Sequence, residues 1–104
     1  MASVINFDVL HPDGKAWVNA VLHFELSDDD FTDTEQFPSE VVKATKTDSS
    51  GNGSISLWEN EGGKVSPQTF FKCTLPSGET FPFTVPTAGA PFELGTLRTD
   101  YVTP

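Results

Sequence analysis

The residues best suited to chemistry lie in the run from Asp48 to Glu59, DSSGNGSISLWE. Asp48, Ser50, Asn52, Gly53, Ile55, Ser56 and Glu59 fall at positions 1, 3, 5, 6, 8, 9 and 12 of the twelve-residue calcium-loop pattern. Alternating oxygen donors closed by a carboxylate are what a hard cation takes. That loop works because two helices hold its ends, and here both flanks are strand-like, rich in β-branched residues. Only Asp48 and Glu59 would bring charge. A polar turn accounts for the same residues, so no metal or cofactor is expected, and Asp48, Ser50, Asn52 and Glu59 stand only as weak candidates.

Other reactive side chains are scattered. His11 precedes a proline in a turn and His23 sits on the polar face of a strand, with no third ligand or hydroxyl paired to either. Cys73 alternates with Phe71 and Leu75, which makes it a small buried hydrophobe rather than a nucleophile. Asp28, Asp29 and Asp30, followed by Asp33 and Glu35, form either a solvated surface or an electrostatic docking patch. Carboxylate pairs for glycoside cleavage are invisible in sequence, but a chain of short strands and turns has little room for a deep cleft. Trp17 and Trp58 either cap the core or offer a face to a partner or a sugar. Trp58 follows Leu57, so alternation turns it away from Ile55 and Leu57 and makes it a contact candidate.

The elements that must position these residues are strands. Ile5, Phe7 and Val9 alternate with polar residues. His11 to Lys15 is a turn, and Trp17 to Leu26 a second strand, with Ala20, Leu22, Phe24 and Leu26 on one face; the two make a first hairpin. Ser27 to Ser39 is a surface loop with one ring tucked inward. Val41 to Trp58 reads as a central strand–turn–strand hairpin around Asp48 to Gly53. Gln68 to Leu75 and Phe81 to Val85 flank a Pro76-Ser77-Gly78-Glu79 turn, and Pro82 confines its strand to an edge or a bulge. Phe92 to Leu97 is a last strand or docking segment, and 98–104 is a tail after a single 1–97 domain. Helical periodicity is absent. The expected fold is all-β, an antiparallel two-sheet sandwich of about seven strands, Ig-like or transthyretin-like.

Bulk properties narrow the partners. The chain has 104 residues, with six Lys plus Arg against fifteen Asp plus Glu, a formal net charge of −9. Such a surface repels phosphate backbones and anionic headgroups, so neither nucleic acid nor membrane is expected as a partner. A single cysteine forms no internal disulfide, and the start of the chain lacks the basic and apolar regions of a signal peptide. Nine Phe against one Met and one Tyr point to a core filled with rings.

A resemblance adds a setting. The run Thr47 to Gly62, followed by Thr69 to Glu79 and Phe83-Thr84-Val85-Pro86, resembles a small β-sandwich domain of bacteriophage virion proteins, particularly the N-terminal domain of tail-fibre and minor tail proteins. The opening, Asp13-Gly14-Lys15-Ala16-Trp17 leading to Ala20 through Leu26, is similar to it too. The resemblance covers about Val4 to Leu97. Glu59 stands where that pattern commonly has a proline, and no fibrous repeat follows Leu97. It implies a non-enzymatic structural protein of the virion, made in the host cytoplasm, that docks on tail or fibre components. A capsid-decoration protein and a carbohydrate-binding module using Trp17 or Trp58 are the alternatives. Trimers are common among such proteins, although no residue here demands one. Contacts are expected from the termini, Tyr101 included, and from the loops around Trp58 and around Asp28, Asp29 and Asp30.

Overall fold

A computed structural model describes residues 2–101. Nine short strands are followed by one helix: β1 (Ala2–Asp8), β2 (His23–Leu26), β3 (Asp30–Phe31), β4 (Gln36–Phe37), β5 (Val41–Lys43), β6 (Asn52–Trp58), β7 (Phe71–Thr74), β8 (Thr80–Phe83), β9 (Phe92–Glu93) and α1 (Leu94–Asp100). They form three sheets, ordered β6-β1-β9, β5-β2-β7-β8 and β3-β4. Every pairing is antiparallel except β1 with β9. The protein is thus β-rich with a short C-terminal helix.

Period-two alternation places the core as the sequence suggests. Ile5, Phe7 and Val9 are buried, as are Ala20, Leu22, Phe24 and Leu26, and then Phe71, Cys73, Phe81, Phe83 and Val85. Both larger sheets feed one buried cluster. Phe7 of β1 approaches Phe24 of β2 at 6.3 Å between centroids, and Phe24 meets Phe83 edge-on at 6.0 Å. Pro76 to Glu79 does turn β7 into β8, with Gly78 in the left-handed region at φ 97°. Pro82 lies on β8, the outer strand of its sheet, where no neighbour needs its missing N–H.

The central hairpin does not form. Its turn is present: the Gly51 amide donates to the Asp48 carbonyl at 3.0 Å. Its two arms, however, enter different sheets. β5 pairs with β2, and β6 pairs with β1 in a register that sets Ile55 opposite Ile5 and Gly53 opposite Phe7. A Cβ on Gly53 would lie 2.5 Å from Phe7 Cε2, so the ring occupies the space that glycine leaves free. This apolar match across β1 and β6 outweighs pairing between sequence neighbours.

The first hairpin fails for a related reason. The turn from His11 to Lys15 closes on itself, with a Leu10–Ala16 bridge and the His11 amide donating to the Lys15 carbonyl at 2.8 Å. Beyond it no strand forms until His23, and Asn19 adopts φ 61°. Thr47 holds this irregular stretch: its hydroxyl accepts from the Ala20 amide at 2.9 Å and donates to the Trp17 carbonyl at 2.7 Å.

The expected tail is partly helical. Arg98, Thr99 and Asp100 belong to α1, which the sequence conceals because Gly95, Thr96 and Thr99 are poor helix formers. Packing supplies what propensity lacks: Leu94 and Leu97 are buried, and Arg98 lies 4.1 Å from the centre of the Phe81 ring. The remainder of that tail, 102–104, and Met1 fall outside the described residues.

Candidate docking surface

The residues proposed for chemistry are not brought together. Asp48 serves its own turn, its Oδ1 accepting from the Ser50 amide at 2.9 Å and the Asn52 amide at 3.0 Å. Glu59 follows the far end of β6, where Ser3 Oγ donates to it at 2.5 Å. At about 3.3 Å per residue, β6 holds the two carboxylates roughly 20 Å apart. A strand, not a closed loop, therefore separates the two charges of the weak candidates Asp48, Ser50, Asn52 and Glu59. Among the described residues no group of three or more His, Cys, Asp or Glu is placed to hold a metal ion.

His11 stacks on Trp17 at 4.3 Å, while His23 is exposed on β2. Burial pushes the Cys73 thiol up to about 12, and the pull of Arg98 only partly offsets it. Two exposed carboxylates, Asp8 and Glu93, share an open hollow with Arg98. Arg98 is already engaged by Glu79 through two bonds of 3.0 and 3.2 Å.

The acidic loop divides. Asp28 and Asp29 are exposed, as a docking patch requires. Asp30 is not part of that surface: it is 4% exposed and works as an anchor. Its Oδ1 accepts from the amides of Phe31 at 2.7 Å, Lys64 at 3.1 Å and Val65 at 3.2 Å, and its Oδ2 from the Thr69 hydroxyl at 2.5 Å. The loop from Ser27 to Ser39 is accordingly ordered, with β3 and β4 inside it. Asn60 is a second anchor. Its amide donates to the Thr69 carbonyl, and its carbonyl accepts from the Val85 amide at 2.7 Å. Sequence reasoning missed Asp30, Asn60, Thr47 and Thr69 as buried polar residues, since each looks like ordinary turn chemistry.

The aromatic candidates sit apart. Trp17 donates its amide to the Val9 carbonyl at 2.9 Å, beyond one end of β1, whereas Trp58 pairs with Ala2 at the other. Phe37 covers Trp58, stacked at 3.8 Å and 13°, so the ring expected to face outward is half-buried and packs against the core. One face of each tryptophan is thus occupied from within. Tyr101 meets Phe70 edge-on at 5.7 Å. What remains open beside Trp58 is a groove lined by Leu26, Phe37, Val42, Leu57, Trp58 and Phe71, with Glu40 at its rim. Val41 and Val42 next to it are 52% and 38% exposed. Neither was singled out from sequence, because alternation assigns them to a paired strand.

No protein-family model and no curated protein matches the chain.

Proposed function

We propose that this protein is a non-enzymatic β-sandwich module that docks on other virion proteins of a bacteriophage, in the manner of a tail or fibre attachment domain. The two-sheet sandwich is supported by the shared cluster of Phe7, Phe24, Phe71 and Phe83, drawn from both larger sheets. The docking role rests on one contrast. The buried polar side chains Asp30, Asn60, Thr47 and Thr69 hold loops in place, while an apolar groove beside Trp58 stays open to solvent. The phage setting comes from the resemblance of Thr47 to Gly62 and the segments after it.

Quantitative mass spectrometry of purified particles tests this reading. A few copies per particle supports tail attachment. Copies in the hundreds, following the head lattice, supports capsid decoration instead. A chain absent from particles overturns both. The carbohydrate alternative has its own check: glycan-array binding that Trp58→Ala abolishes would displace the docking reading.

A further inference from the structure

We propose that the free edge of β6 takes up an extended segment of another protein as an added strand, one carrying apolar side chains and Lys or Arg. The inference deepens the docking reading and rests on it for the protein nature of the occupant.

The two flanks of the molecule differ. On one, α1 lies against β8, β9 and β1 and seals the cluster with Leu94 and Leu97. On the other, β6 pairs only with β1 and β5 only with β2, so two strand edges stand open with the groove between them. Register shows what is missing there. Ile55 lies opposite Ile5 and Val42 opposite Phe24, and those partners are both 0% exposed. Yet Val42 is 38% exposed and Ile55 only partly buried, although both point to the same interior. Ile55 still packs against the core from its edge, whereas Val42 is left open in the groove.

Beyond Asn52, whose amide and carbonyl are both bonded to Asp48, the edge of β6 also lacks the usual protection. Exposed edges are normally blunted by brevity, by charge or by proline. β5 has three residues and ends on Lys43, and β8 carries Pro82. β6 runs seven residues, Asn-Gly-Ser-Ile-Ser-Leu-Trp, with neither charge nor proline. Ser54 and Ser56 are small, so a strand can lie beside them, and its inward side chains would enter the groove against Val42, Leu57 and Phe71. Main-chain bonds would give affinity and the groove selectivity.

Charge selects the occupant. Glu40 is the only charged residue lining the groove, it makes no ion pair among the described residues, and no Lys or Arg accompanies it. A second copy of this chain would bring another net −9 to the same edge. A cationic segment is attracted where that copy is repelled.

The test uses the intact chain and an end-capped eight-residue peptide of alternating Val and Lys. Hydrogen exchange by NMR follows the β6 amides that bond neither to β1 nor to Asp48. The expected result is slowing of about tenfold or more at saturation, with a change in Trp58 fluorescence. The same peptide N-methylated on alternate residues should lose the effect, and an alternating Val and Glu peptide should show none. Glu40→Lys should weaken binding about three- to tenfold at low salt, less at high salt. Val42→Ser, at an exposed site, should weaken it without unfolding the chain. Unchanged β6 exchange at millimolar peptide, or equal protection by the Val and Glu peptide, overturns the proposal. Protection that grows with protein concentration and needs no peptide overturns it in favour of a second copy. A chain present in particles but blind to the peptide removes the groove and leaves the docking reading. Peptide binding by a chain absent from particles does the reverse.

Discussion

At the residue scale, the polar side chains that matter most are those spent on backbone. Removing the Asp30 carboxylate by Asp30→Ala takes the acceptor from the Val65 amide and the Thr69 hydroxyl, while the Lys64 amide keeps its bond to the Phe31 carbonyl at 3.0 Å. Orphaned buried donors cost about 1–3 kcal/mol each in the worst case, so a total loss of about 2–4 kcal/mol is expected by urea denaturation. The adjacent Asp28→Ala, on exposed surface, should stay within about 0.5 kcal/mol. Cys73 makes a second prediction. Its thiol lies at about 12 in the fold against an ordinary 9.0, because burial disfavours the thiolate. The folded state therefore keeps its proton where the unfolded state has lost it. This contribution to stability is complete below pH 9 and declines as pH rises from 9 towards 12. Cys73→Ala should flatten that part of the stability–pH curve, and a thiol reagent at pH 8 should label the native protein far more slowly than the denatured chain.

Elements obey matches that sequence neighbours do not supply. β6 leaves β5 and joins β1 because Gly53 makes room for Phe7 and Ile55 meets Ile5. Gly53→Val should therefore destabilise by about 1–3 kcal/mol through overpacking. Adding Phe7→Ala should relieve part of that loss, so a double-mutant cycle will show coupling. The helix α1 offers the opposite case. Gly95 is exposed, and a Cβ there meets nothing within 4 Å. Gly95→Ala should stabilise by about 0.5–1 kcal/mol in thermal unfolding, since the helix lacks intrinsic propensity. By contrast, Leu97→Ala should cost about 2–4 kcal/mol, because Leu97 is 3% exposed beneath the helix.

At the scale of the whole molecule, charge and openness act together. Fifteen acidic residues against six basic ones leave the folded chain repelling itself. Added salt should raise the melting temperature by a few degrees, with most of the gain below about 0.2 M, where screening changes fastest. Under the proposed docking reading, the same charge favours a cationic protein as partner over nucleic acid or another copy of the chain. A flank closed by α1 and a flank left open by β5 and β6 would make the proposed docking directional. One side serves stability and the other stays available.

The sequence by itself determined the inward faces of the alternating runs, the turns at His11, Asp48 and Pro76, and that Pro82 sits at an edge or a bulge. Each follows from local sterics or from a period of two, which neighbouring residues carry. Only the tertiary structure decided which strands pair, that Asp30 is an anchor rather than surface, and that residues from Leu94 form a helix. It also separated Asp48 from Glu59 by the length of a strand. These outcomes depend on burial against partners tens of residues away, such as Phe7 over Gly53 or Thr69 on Asp30. Contact energy across that separation has no signature in local order, so the open groove beside Trp58 emerges only once the sheets are assembled.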